Sequence, residues 1–261
     1  KYYNTADLAS VKFEGNKTII APKDGSDNDV YDASVREINF AKRVEQGENV
    51  GVENPAGVVK ITEVKAWLES AYLKWVPFEG ASSYHVYVEG KKIDAQLIRQ
   101  YASYIRADVL GLKAGSYSVK VVPVDAAGKE MAGANTVSNL VVKNYNREGF
   151  AHFNFKGIGA YNNDGTLKSD AKVLYITAST AKTVSTEVIT GDKNKKQTVT
   201  GLQAIIDAYQ KGYDTTPIAF RIIGKVSLAD LDGISSSAEG LQIKGKTGYS
   251  TMNMTFDGVG D

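Results

Sequence analysis

Few side chains in this sequence could carry proton transfer at neutral pH, and their settings matter more than their number. His85 and His152 are the two histidines, the residue type whose ordinary pKa suits a general base. His85 alternates with Tyr84 and Val86 and reads as a surface position on a strand. No Gly-x-Ser-x-Gly elbow presents a serine nucleophile, and the absence of cysteine excludes thiolate nucleophiles, thiolate metal sites and disulfides. Gly157-x-Gly159 has Asn162 where a dinucleotide-binding loop needs its third glycine, so dinucleotide binding is rejected. The acidic run from Lys23 to Asp29 fails as a calcium loop. Gly25 stands at its second position instead of its sixth, and Val35 occupies the place of the closing glutamate. Asp257 and Asp261 lie beside Gly258 and Gly260 and read as turn aspartates, while Arg221 reads as a solvent-facing strand residue. Lys193, Lys195 and Lys196 sit at a loop tip, where a charge run is most simply solvated. No catalytic residue and no metal ligand is therefore assigned within the chain, and its substrate-binding residues remain unassigned.

The elements that would position such groups are mostly strands. Ile218, Phe220, Ile222 and Val226 alternate with polar positions, and the same parity recurs at Leu241-Gln242-Ile243-Lys244 and Met252-Asn253-Met254-Thr255-Phe256. Closely spaced strands of this kind suit a meander or successive strands round a parallel β-helix. Leu202, Ile205, Ile206 and Tyr209 follow helical spacing, predicting a helix over about 201–211 with Thr200 as N-cap and Gly212 as terminator. Such a helix would cover the open end of an apolar stack begun by Phe220, Ile222 and Ile243. Upstream, residues 1–46 carry short β signals at Val11, Phe13, Thr18 to Ala21, Val35, Ile38 and Phe40, and residues 47–60 read as a linker. The length allows two domains, and a net charge of +1 gives no reason to expect nucleic acid as a partner. No apolar run is long enough to span a bilayer.

Residues 61–144 resemble a fibronectin type III sandwich. Trp75 stands on the second strand, Tyr84 opens the third, and Leu112 is followed by Tyr117 at the position of a tyrosine corner. The stretch Asp94 to Arg106 departs from that pattern, and within it Gln96 to Tyr101 suits a short helix in place of a strand. Tyr87, Tyr101 and Tyr104 are candidates for stacking on sugar rings, although half-exposed tyrosines are common on strands.

Residues 149–261 resemble the opening of a bacterial pectate lyase of polysaccharide lyase family 1. The resemblance rests on the order of Gly157-Ile158-Gly159-Ala160-Tyr161-Asn162-Asn163-Asp164-Gly165, Ala171 to Ile176, Gly201 to Ile206, Ile222 to Val226 and Gly258-Val259-Gly260-Asp261. It implies an all-β chain in which the sandwich is followed by the capped first coils of a right-handed parallel β-helix. It also implies the N-terminal portion of a secreted, periplasmic or cell-surface enzyme that cleaves pectate by calcium-assisted β-elimination. The family's calcium ligands and arginine base fall on later coils, so residues 1–261 alone are expected to be inactive. The implied partners are the anionic plant polysaccharide and the remaining coils of the same precursor. A non-catalytic surface adhesin or carbohydrate-binding protein built from the same modules is the alternative.

Overall fold

Alternating apolar residues give strands that hide one face, and the described residues form five separate sheets. A computed structural model describes residues 8–14, 17–24, 26–31, 51–147, 159–233, 240–243 and 252–260. The chain divides into two units, Lys1–Gln46 and Gly47–Asp261. In the smaller unit, β1 (Leu8–Glu14), β2 (Lys17–Pro22) and β3 (Asp29–Tyr31) form an antiparallel sheet in that order. Asp24 accepts hydrogen bonds from the Ser26 amide (2.9 Å) and hydroxyl (2.7 Å), so it shapes the turn into β3. The strand expected at Val35, Ile38 and Phe40 lies outside the described residues.

The larger unit begins with β4 (Ile61–Ala66), β5 (Ser70–Trp75), β6 (Ser83–Val88), β7 (Lys91–Lys92), β8 (Ile98–Gln100), β9 (Ile105–Leu110), β10 (Gly115–Val124) and β11 (Asn135–Val142). These make two antiparallel sheets, ordered β4-β5-β9-β8 and β11-β10-β6-β7. Leu73, Trp75 and Ile105 of one sheet share a core with Val86, Val119, Val121 and Leu140 of the other, forming the expected β-sandwich. Trp75 is fully buried and meets Tyr84 edge-on, with centroids 5.2 Å apart. The Tyr117 hydroxyl donates to the Lys113 carbonyl at 2.9 Å, as a tyrosine corner requires, but the ring lies half-buried against the core instead of inside it.

Two expectations about this region need correction. The helical turn expected over Gln96 to Tyr101 is confined to Ala95–Leu97, and β8 follows it at once, because Ile98 to Gln100 can pair with β9. The stretch 47–60 is no free linker in its second half. Val59 is fully buried, Asn54 bonds both the amide (2.8 Å) and the carbonyl (2.9 Å) of Ile61, and Asn135 donates to the carbonyls of Glu53 and Val59. Those side-chain amides satisfy backbone groups that no strand partner reaches.

The third region contains β12 (Lys172–Ile176), β13 (Ser185–Gly191), β14 (Lys195–Thr200), α1 (Leu202–Gln210), β15 (Ile218–Ile223) and β16 (Met254–Val259). β13 and β14 form a hairpin, while β12, β15 and β16 form a parallel sheet in that order. Parallel neighbours need long crossovers. The hairpin and α1 supply the first, and residues 224–253 span the second. α1 buries Leu202, Ile205, Ile206 and Tyr209 in a cluster with Ile176, Ile218 and Phe220. Its N-cap is Gly201, at φ 93°, in place of Thr200, and Gly212 closes it by donating to the Tyr209 carbonyl at 3.0 Å.

β15 stops at Ile223 because Gly224 turns left-handed, at φ 67°, so the strand expected to reach Val226 is shorter. Leu241 to Ile243 form no strand, and Ile243 is 44% exposed, so it takes no part in the stack. The Gln203 side chain instead satisfies both backbone groups of Gln242, donating to its carbonyl (3.1 Å) and accepting from its amide (3.0 Å). A β-helix needs several parallel sheets repeating round each coil. Among the described residues there is one parallel sheet, so the expected β-helix is not shown, whereas the all-β sandwich is.

Candidate functional site

The parallel register gives β12, β15 and β16 two kinds of row. Leu174, Phe220 and Phe256 are partners in one, with the two phenylalanine rings stacked at 4.9 Å. The next position along each strand brings Tyr175, Arg221 and Asp257 together on the opposite face. Arg221 is 5% exposed, which corrects its reading as a solvent-facing residue. The face it shares is covered by other parts of the chain, so strand parity alone does not place it in water.

Two phenols and two carboxylates surround this cation, while its buried Nε finds no hydrogen-bond partner among the described residues. Arg221 Nη1 donates to the Tyr175 hydroxyl at 2.7 Å, and Nη2 to the Tyr161 hydroxyl at 3.4 Å. Tyr175 donates in turn to Asp94 Oδ2, and Tyr161 to Asp257 Oδ2 at 2.5 Å. The guanidinium lies 3.9 Å from the Asp94 carboxylate and 3.8 Å from that of Asp257. Asp94 precedes the helical turn of the sandwich, so the cluster joins the two parts of the larger unit. Arg99 of β8 continues the contact by donating to the Val259 carbonyl at 3.4 Å. A side chain at Gly260, where φ is 89°, would put its Cβ 2.6 Å from Arg99 Nη1 and 2.8 Å from the Tyr101 hydroxyl. Only glycine fits there.

A second clamp lies at Glu69, in the turn between β4 and β5. It takes a two-pronged ion pair from Arg147, with Nη2 to Oε2 at 2.7 Å, and Arg147 also donates to the Asn163 carbonyl at 2.8 Å.

Burial pushes the Tyr161 hydroxyl up to about 12, helped by its bond to Asp257, and moves Tyr175 upward as well. Both phenols remain protonated donors. Burial also raises the Asp257 carboxyl, against the pull of Tyr161 and Arg221. Burial works against the Arg221 charge, yet the phenolic oxygens more than offset it, so the proton is held more tightly than usual. A guanidinium held this way is no base at neutral pH. The cluster can fix one element against another.

Other residues singled out in the sequence stay apart from it. His85 Nδ1 lies 2.7 Å from Glu130 on a surface strand, as expected. His152 and Asp261 lie outside the described residues. Tyr101 and Tyr104 stack on each other at 4.6 Å, and the Tyr87 hydroxyl donates to Glu130 at 2.5 Å. Lys196 pairs with Glu187 at 2.8 Å, while Lys193 and Lys195 are exposed around the hairpin tip. Calcium does not fit the residues described. No three acidic or histidine side chains cluster among them, and Asp94 and Asp257 are already engaged by Arg221 and two phenols. Sequence reading missed Asp94, Arg99, Tyr161 and Tyr175. The available signal was that Tyr175, Arg221 and Asp257 each follow the apolar residue of their strand at the same step.

No family model and no curated protein matches the chain. Similar solved structures include the fibronectin(III)-like modules of Clostridium thermocellum CbhA, at 19% identity and TM-score 0.26 over 34% of this chain and 100% of that one. The family 28 exopolygalacturonase of Yersinia enterocolitica has 12% identity and TM-score 0.26 over 64% of this chain and 28% of that one. The cell-surface multi-modular chitinase ChiW of Paenibacillus sp. str. FPU-7 has 13% identity and TM-score 0.27 over 67% and 17%. The chain thus spans under a third of either enzyme's length, and scores of this size do not establish a shared fold. Among the described residues no helix is long and apolar enough to cross a membrane.

Proposed function

We propose that residues 1–261 are the N-terminal portion of a secreted, periplasmic or cell-surface polysaccharide lyase. In this reading the enzyme cleaves pectate by β-elimination, and the sandwich braces the first strands of a parallel β-helix. The observation that carries it is the in-register parallel ladder, in which Leu174, Phe220 and Phe256 stack on the side covered by α1 while β16 forms an outer strand of the sheet. Stacked identical registers of this kind are what a solenoid propagates. Phe256 remains 36% exposed, which suits a further strand laid beside β16.

The catalytic arginine and the acidic calcium ligands then belong to coils after Asp261. Calcium bound there would stabilise the charge that develops on the uronate as its proton leaves. This chain's own share of the work is to hold the first strands in place through Arg221 and Arg147. A precursor containing residues 1–261 and the following coils is expected to release the ultraviolet-absorbing unsaturated product from polygalacturonate with calcium, and to stop on chelation. Residues 1–261 alone are expected to release none. Turnover by residues 1–261 would locate the chemistry inside this chain and overturn the assignment. An inactive precursor that still bound polysaccharide would support the non-catalytic carbohydrate-binding alternative.

A further inference from the structure

One sheet face of the sandwich aligns charge with an aromatic ring. Thr136, Lys120, Tyr87 and Lys92 are successive partners across β11, β10, β6 and β7. They form one row, about 14 Å long at the usual strand spacing. Thr136, Lys120 and Lys92 are exposed, and Tyr87 is half-buried. The ring does not swing freely, because its hydroxyl is held by Glu130, which His85 also contacts. Lys120 Nζ lies 5.9 Å from the ring centroid, and His85 meets the ring edge-on at 6.3 Å. Glu130, held charged by Tyr87 and His85, stands at one end of the ring while the lysines flank it, and Glu89, which accepts from the Ser118 amide, is a second carboxylate beside the row.

We infer that this row binds an extended acidic polysaccharide, a reading that rests on the proposed pectate substrate. The two ammonium groups belong to strands that flank β6 on either side, so they can pair with carboxylates on alternate rings of a linear uronate chain. Tyr87 between them offers its ring to the C–H face of the intervening sugar, and a ring already fixed in orientation loses little freedom on binding. Thr136 and the exposed Ser116 and Ser138 add side-chain hydroxyls suited to sugar hydroxyls. Attraction between exposed charges and a polyanion is screened by salt.

Affinity electrophoresis of residues 1–261 in gels containing polygalacturonate, or the same polymer fully methyl-esterified, tests this. Retardation is expected with the charged polymer alone, and it should weaken as salt rises. A Lys92→Ala, Lys120→Ala double variant should lose affinity several-fold while melting like the parent, since both positions are exposed, and Tyr87→Ala should lose affinity as well. No retardation of the parent, equal retardation by the esterified polymer, or unchanged binding by the variants would overturn the inference. Failure of the substrate assignment is separately visible. A precursor that cleaves polygalacturonate although residues 1–261 do not bind it loses only this site. Binding at this row with no cleavage by the precursor loses only the lyase reading.

Discussion

Arg221 shows how a single buried cation ties its neighbours together. Its two phenols and the half-buried Asp257 screen it from water, and removing the guanidinium leaves Asp257 with one donor, Tyr161. Arg221→Ala is expected to cost on the order of 1–3 kcal/mol in chemical denaturation, through the hydrogen-bond partners it leaves unpaired. A change of a few tenths would mean that the cluster is solvated.

Asp257 also fixes a sign. Its folded pKa lies above the ordinary 3.8, so the folded state holds the proton more tightly than the unfolded chain. The stability this contributes is present below the unfolded pKa and is lost as pH rises through the folded one. Asp214 behaves in the opposite sense. Burial opposes its charge, but bonds from Ile189 and Thr216 and the nearby Lys172 hold its pKa below 3.8. Its contribution is present above the unfolded pKa and is lost as pH falls through the folded value. Melting measured across the acid range should change slope accordingly in Asp257→Asn and Asp214→Asn. Tyr209 offers a further test, because its buried hydroxyl has no hydrogen-bond partner among the described residues. Tyr209→Phe should be neutral or stabilising by about 1 kcal/mol, and a clear loss would reveal a partner.

Elements come next, and the helix is the clearest case. Leu202, Ile205, Ile206 and Tyr209 were legible from spacing alone, because an amphipathic helix repeats its buried face every three to four residues whatever it packs against. Leu202→Asp should abolish cooperative folding of this region, since it buries a charge without a partner. A variant that melts like the parent would remove α1 from the core. In the sandwich, Trp75→Ala should cost about 3–5 kcal/mol through the cavity it opens. The indole N–H has no hydrogen-bond partner among the described residues, so the loss is one of packing. Leu241 to Ile243 had the same alternation as β16 yet form no strand, since periodicity cannot show whether a neighbouring edge or a side chain such as Gln203 will take the backbone groups.

At the scale of the larger unit, the clamps at Glu69–Arg147 and Asp94–Arg221 predict that Gly47–Asp261 unfolds as one cooperative body. Gly260→Val should drive Arg99 and Tyr101 from the end of β16. Calorimetry would then separate one transition into two. A single unchanged transition would mean that the sandwich and the parallel sheet are held together elsewhere.

What the sequence determined by itself was local: the strand parity of the sandwich, Trp75 in its core, the tyrosine corner and the face of α1. These follow from side-chain period and residue type, which act over a few positions. Tertiary structure decided the parallel pairing of β12, β15 and β16, the burial of Arg221 and the fastening of residues 53–59 by Asn135. Each depends on groups distant in sequence, such as Asp94 with Tyr175 or Arg99 with Val259. Whether a polar strand position meets water or a second module is set by what covers that face, and no periodicity along the strand records it.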